Sequence, residues 1–163
     1  MNKEAEEFSV CITDTVDMNR PYWIDLTSIE SYSEFEEKIK ELGISKHWRI
    51  GEIGQKFPKG VKSNIQVLLH YLQNRWALLL GESRHAYKAY CEFTGFVSAT
   101  GEFNKAYECT GVAPLDFAKT KLNNMCDTPA YLKEYIDYQK YADDIFRDEY
   151  YYDEESTCIF RRV

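Results

Sequence analysis

Nine carboxylates stand between positions 134 and 155 (Glu134, Asp137, Asp143, Asp144, Asp148, Glu149, Asp153, Glu154 and Glu155) against two cations, Lys140 and Arg147; the net −7 equals the formal charge of the whole 163-residue chain. The rest of the sequence therefore sums to zero, and the negative charge is concentrated near one end. Grouped carboxylates support three kinds of chemistry. They can ligate a divalent cation, but the EF-hand loop that does so carries a glycine at its turn, whereas Asp143, Asp144, Asp148 and Glu149 lack one and have the spacing of a helix surface. They can serve as general acid and base, but that requires a cleft that drives two pKa values apart, which a string of aspartates on a wet surface does not offer. They can form an anionic face, which needs only exposure and acts on a basic partner through steering and complementarity. The nine residues are expected to form such a face, with no catalytic residue, cofactor or metal site assigned.

Other chemistry is thin. His47, His70 and His85 have no second His or Cys at metal-ligand spacing. Gly51-Glu52-Ile53-Gly54 lacks the lysine and third glycine of a phosphate-cradling loop. The stretch Lys56–Lys62, KFPKGVK, suits a solvated loop better than a basic patch, and Tyr150-Tyr151-Tyr152 suits hairpin packing or a protein contact better than base stacking. Direct nucleic-acid binding is not expected. Five cysteines (Cys11, Cys91, Cys109, Cys126, Cys158) are odd in number with no C-x-x-C pairing, and MNKEAEEF has no apolar signal region, which predicts a reduced, cytoplasmic protein. The longest apolar run, Trp76–Leu80, is too short to span a bilayer, so no membrane association is expected.

The elements that must hold these groups are small, because 163 residues make one ordinary domain or a string of two or three with thin cores. Phe8–Thr15 and Tyr22–Leu26 have the look of strands with Asp17–Pro21 turning between them, and Ser33 with Glu36 forms a capping box ahead of Phe35, Ile39 and Leu42 at helical spacing. Residues 1–45 thus form a ββα unit. In 46–112, strand and turn signals after His47 lead into a helix capped by Ser63 or Asn64 with apolar residues at 65, 68, 69, 72, 76 and 79, then a helix from His85 to Phe93. In 113–163, LDFAKTKLNNM is helix-like, and Asp127-Thr128-Pro129 has the form of an N-cap region with proline in the first turn. Two readings of the acidic segment stay open. A continuous helix from Glu134 to Glu149 puts Glu134, Asp137, Asp144 and Asp148 within one quarter of the circumference and Tyr135, Ala142 and Phe146 on another face; alternatively the helix breaks at Ile136 and Asp137 caps a new one. Tyr150–Tyr152 and Thr157–Arg161 then form a terminal hairpin around an acidic turn. The fold class expected is α+β.

The run Tyr135-Ile136-Asp137-Tyr138, then Tyr141, Asp144 and Phe146, then the closing Ile159-Phe160-Arg161, resembles the C-terminal signature of the ArdA-type antirestriction proteins. Tyr22-Trp23-Ile24-Asp25-Leu26 is similar to that family's G-x-W-I-D-L-like strand, and Tyr90-Cys91-Glu92-Phe93 through Glu102-Phe103-Asn104-Lys105-Ala106-Tyr107 to its E-F-x-x-A-Y segment. The resemblance implies an elongated chain of three small α+β subdomains, an acidic C-terminal helix and hairpin, and a homodimer. It also implies a non-enzymatic antirestriction function: the acidic surface mimics the phosphates of bent B-form DNA and occupies the DNA groove of the type I restriction-modification enzyme.

Duplex DNA carries one charge per ~1.7 Å of axis, or ~3.4 Å counting one strand, whereas four carboxylates from Glu134 to Asp148 on one helix give roughly one per 7 Å. Glu149, Asp153, Glu154 and Glu155, the N-terminal Glu4, Glu6, Glu7, Asp14, Asp17 and Asp25, and a second protomer would raise that density. Residues 31–90 depart from the family's acidic pattern, with six acids and ten bases. Two other classes therefore stand beside the inhibitor: a protein-interaction or regulatory module of a mobile genetic element that keeps the fold without effective mimicry, and a metal-dependent enzyme using the C-terminal aspartates.

Overall fold

The computed structural model describes residues 7–16, 20–62 and 64–162. The chain has an α+β fold that divides into two compact units, Met1–Thr100 and Gly101–Val163.

The first unit contains β1 (Ser9–Asp14), β2 (Pro21–Asp25), α1 (Tyr32–Glu41), β3 (Trp48–Ile53), α2 (Ile65–Ala77) and α3 (Gly81–Thr94). Its antiparallel sheet has the order β2-β1-β3, so β1 is central and its Val10 and Ile12 are fully buried. Helix α1 starts two residues before the expected box. The Ser31 hydroxyl accepts from the Glu34 N–H at 3.2 Å, and the Glu34 carboxylate accepts from the Glu30 N–H at 2.8 Å, so a variant of the motif forms in an earlier frame, its return bond made to the residue before the cap. Phe35 and Ile39 face the core as expected, while Leu42 is only partly covered, 38% exposed.

Asn64 caps α2, accepting from the Val67 N–H at 2.9 Å; Ser63, the other candidate, lies outside the described residues, as do Asp17 and most of the expected turn. The apolar period expected through 76 and 79 stops early: α2 ends at Ala77, Leu79 is 93% exposed, and Trp76 lies between the guanidinium groups of Arg75 and Arg84, 5.0 and 5.1 Å from its ring. Helix α3 begins at Gly81, ahead of the expected His85. A chain of rings, Phe8–Phe57 at 5.4 Å, Phe57–Tyr71 at 5.8 Å and Tyr71–Tyr87 at 5.5 Å, ties the entry of β1 to α2 and α3. Burial beside these rings pushes the Cys91 thiol up to about 11, which keeps it protonated and unreactive.

The second unit opens on α4 (Thr100–Ala106) and continues through β4 (Tyr107–Thr110), α5 (Pro114–Met125), the short α6 (Ala130–Lys133), α7 (Tyr138–Asp148), β5 (Tyr150–Asp153) and β6 (Cys158–Arg161). Its sheet order is β4-β6-β5, which makes the last strand the central one, and β5 and β6 form the expected terminal hairpin. The divisions expected at 45/46 and 112/113 each fall between strands that pair with one another, β1 with β3 and β4 with β6. Long-range pairing of this kind leaves no local mark in the sequence.

The chain leaves β3 at Gly54, whose N–H donates to the Ser9 carbonyl at 2.8 Å; a Cβ at this position would run into the backbone carbonyl of Glu7. Backbone atoms cannot step aside as a flexible side chain can. Gly54→Ala is expected to destabilise the first unit by about 1–3 kcal/mol, measured as a lower urea midpoint with unchanged slope.

Candidate functional site

The acidic face of the second unit is positioned by one packed cluster. Ala118 of α5, Ala142 and Ile145 of α7, Tyr150 of β5 and Ile159 of β6 are buried together. Around them Phe117 meets Tyr150 at 5.1 Å and Phe146 at 5.9 Å, and Phe146 meets Tyr150 at 6.1 Å. With Ala142, Ile145 and Phe146 turned inward, helical geometry sends Asp143, Asp144 and Asp148 to the opposite side. Asp143 and Asp148 are exposed and Asp144 is half-buried.

The helix is not continuous from Glu134. Helix α6 ends at Lys133, and Asp137 caps α7 by accepting from the Lys140 N–H at 3.0 Å. The four-carboxylate stripe of the continuous reading is thereby broken. Tyr135, expected to pack with Ala142 and Phe146, is instead 82% exposed. The helix breaks because an aspartate before Tyr138 can satisfy backbone donors that would otherwise be orphaned. Pro129 is itself the cap residue of α6, outside its first turn, and no side chain caps that helix.

The nine carboxylates have different duties. Asp137 is committed to its cap. Asp153 holds the hairpin turn, accepting from the Ser156 N–H at 2.8 Å, in a turn where Thr157 takes a positive φ of 56°. Arg147 donates to Asp144 at 2.8 Å and to both oxygens of Asp148 at 3.3 Å, and these hydrogen bonds, Asp148's first, hold its pKa above the ordinary value. Asp143 accepts from the neutral amide of Gln139 at 2.8 Å and has no ion-pair partner among the described residues. Glu134, Glu149, Glu154 and Glu155 are exposed, and none has an ion-pair partner among the described residues. The backbone of Glu149 is nevertheless fixed, because its carbonyl accepts from the Arg162 N–H at 2.8 Å and extends the hairpin ladder.

Cations that the sequence left unassigned gather on the hairpin. Lys121 stands 4.8 Å and Arg161 5.8 Å from the Tyr150 ring, and Arg161 pairs with Glu108 at 3.4 Å. Arg162 lies over Tyr151 at 5.8 Å. The Arg147–Asp144 bridge was foreseeable from its i,i+3 spacing, but the Glu108–Arg161 pair depends on the β4–β6 register and was not.

The N-terminal acids proposed to add charge are mostly spent or undescribed. Asp14 is buried and accepts from the Ser45 N–H and Oγ, both at 2.7 Å, and from the Val16 N–H at 2.8 Å. Asp25 accepts from the N–H and hydroxyl of Thr27 at 2.8 and 2.7 Å. Glu7 faces Lys56 at 3.7 Å, and Glu4, Glu6 and Asp17 lie outside the described residues. Among the described residues no group of three His, Cys, Asp or Glu side chains is placed to hold a metal ion. A shallow depression of about 270 Å³ beside α7, lined by Pro114, Asp143, Phe146, Tyr152 and Arg162, is open to solvent.

Asp137→Ala removes a cap without touching the core, so it is expected to cost about 1 kcal/mol and to fray the first turn of α7, seen as faster amide exchange at Lys140. Neither a scan against protein-family models nor a search of curated proteins finds a match to this chain.

Proposed function

We propose that the protein is a non-enzymatic antirestriction inhibitor, cytoplasmic, that offers the anionic face of its C-terminal unit to the DNA-binding groove of a type I restriction-modification enzyme. One observation carries this reading: Glu134, Asp143, Glu149, Glu154 and Glu155 are exposed and have no cationic partner among the described residues, the first in the turn after α6 and the other four on α7, its C-cap and the hairpin turn, outside the packed cluster. Such charges raise the encounter rate with a basic groove and displace its counterions, so the association weakens as salt rises.

Asn and Gln substitutions at Asp143, Asp144, Asp148 and Glu149 together should leave the fold intact, because the ion pairs lost among the described residues are the solvent-screened ones to Arg147, which contribute little to stability. The same variant should inhibit a purified type I methyltransferase at least ~10-fold less well at low salt. Inhibition by the native protein should itself decline steeply as salt is raised. Undiminished inhibition by the neutralised variant would remove the basis of the proposal.

A second reading is favoured by the mixed charge of the hairpin, where Lys121, Arg161 and Arg162 stand over Tyr150 and Tyr151. Cations over aromatic rings are common in protein interfaces, and this surface suits a protein-interaction or regulatory module. Failure to inhibit any type I enzyme, together with stable capture of a partner that is not a nuclease, would favour it.

On either reading the protein acts as a homodimer. Met125, Tyr131 and Tyr135 are 68%, 70% and 82% exposed within one short stretch, the kind of residues enriched at interface cores. Tyr131→Ser with Tyr135→Ser is expected to shift sedimentation from dimer to monomer without changing the circular dichroism spectrum.

A further inference from the structure

We propose that the groove between β2 and α1 binds an extended, lysine- or arginine-bearing peptide segment of a partner protein as an added strand on the sheet. This inference concerns the first unit and does not rest on the antirestriction reading.

Strand β2 is an edge of the β2-β1-β3 sheet. Its pairing with β1 is regular from Ser9↔Asp25 to Thr13↔Pro21, and the Leu26 N–H donates to the Phe8 carbonyl at 3.2 Å. Alternation along an antiparallel ladder then points the main-chain groups of Trp23 and Asp25 away from β1, toward the open edge. Exposed edges are usually blunted by charge, by proline or by a bulge. The opposite edge, β3, has a register shift against β1 between Cys11 and Ile12. On β2 the devices among the described residues are Pro21 at its start and the charge of Asp25 at its end, and between them the strand presents Trp23, 51% exposed.

Beside this edge runs a groove of about 400 Å³, with Trp23, Ile24 and Asp25 along one side and Glu34, Glu37 and Glu41 along the other. One cation, Lys38, also lines it and pairs with Glu41 at 3.2 Å. Asp25 and Glu34 are partly committed to Thr27 and Glu30, while Glu37 has no ion-pair partner among the described residues. The groove therefore has an excess of carboxylates beside an open strand edge, an arrangement that complements a cationic side chain through charge. Spacing agrees: Glu37 and Glu41 are about 6 Å apart along the helix axis, close to the ~6.8 Å between alternate side chains of a strand. A strand laid on β2 would send every second side chain toward α1. Main-chain hydrogen bonds to Trp23 and Asp25 would supply affinity, and the carboxylates would select the side chains.

The test uses the full-length, isotope-labelled protein and the probe acetyl-Val-Lys-Val-Lys-Val-Lys-Val-amide. Binding is expected to shift the amide signals of 22–26 and of α1, to weaken at least tenfold when the lysines are replaced by glutamates, and to weaken at least tenfold with the variant Glu37→Gln, Glu41→Gln. Both glutamates are exposed, and an unchanged amide spectrum elsewhere verifies that the variant is folded. Two half-methylated probes read the hydrogen bonding, one N-methylated at the lysines and one at the valines. Because the lysines must face α1, the register is locked and only one set of N–H groups can face β2, so one methylated probe should bind like the parent and the other at least tenfold more weakly. Equal binding of the two, or no shift at 22–26, overturns the proposal. So does a β2-to-β2 dimer of this chain that excludes the probe and dissociates with Trp23→Lys.

Discussion

The contact of Phe117 and Phe146 with the buried ring of Tyr150 determines where the charges of the C-terminal unit point. Helix α7 has one apolar face, and that face is consumed by α5 and the hairpin. Everything outside a span of about four positions per two turns must then meet water. The two ends of the helix are fixed independently, by the Asp137 cap and by the ladder bond from Arg162 to the Glu149 carbonyl. The acidic face is thus the residue of a packing solution: its members are free to carry charge because their neighbours at helical spacing carry the fold.

Charge and order interact inside that face. Arg147 sits between Asp144 and Asp148 with its guanidinium largely exposed, so the bridge contributes little to stability. Its larger effect is on geometry, since it holds two carboxylates at one end of the helix while leaving one net negative charge there. The strands of the hairpin, unlike its acidic turn, have the opposite character. Lys121 and Arg161 lean on the Tyr150 ring, and Glu108 holds Arg161, which creates a cationic margin next to the anionic helix. A partner that reads this unit meets a patterned surface, and patterned charge suppresses wrong partners more effectively than it raises affinity.

The sequence was most legible where a rule is local. Strands β1 and β2, the Asn64 cap, helix α5 and the closing hairpin follow from alternation, capping chemistry and turn residues within a few positions of one another. It was least legible where a choice between two local solutions is made at a distance. Asp137 is compatible with a continuous helix or with a cap, and the choice falls to the cap where the inward face of α7 begins to meet α5 and Tyr150. Leu79 matches the apolar pattern of α2 yet is exposed, because hydrophobicity alone does not say where a helix stops. Asp14 resembles the other N-terminal acids in sequence, and only the loop carrying Ser45 reveals that it is a buried acceptor. Of the nine carboxylates, the exposure of Glu154 and Glu155 was readable from the turn, whereas the commitment of Asp153 to that turn needed its geometry.

The spacing of these charges limits what kind of recognition the chain can use. A helix places same-face carboxylates about 6 Å apart, against ~1.7 Å of axis per phosphate charge in duplex DNA. The unpaired carboxylates of one C-terminal unit therefore release fewer counterions from a basic groove than a bound duplex of equal length, and the electrostatic part of the proposed affinity must be smaller in proportion. On the proposed reading, discrimination would come from the fixed relation between α7 and the acidic turn, which Tyr150 joins, whereas bending a duplex costs deformation energy. A preformed shape offsets sparse charge, since no deformation energy is subtracted from binding. The proposed β2–α1 site would meet the same limit in another way, since main-chain hydrogen bonds to an added strand would supplement the charge of its four carboxylates.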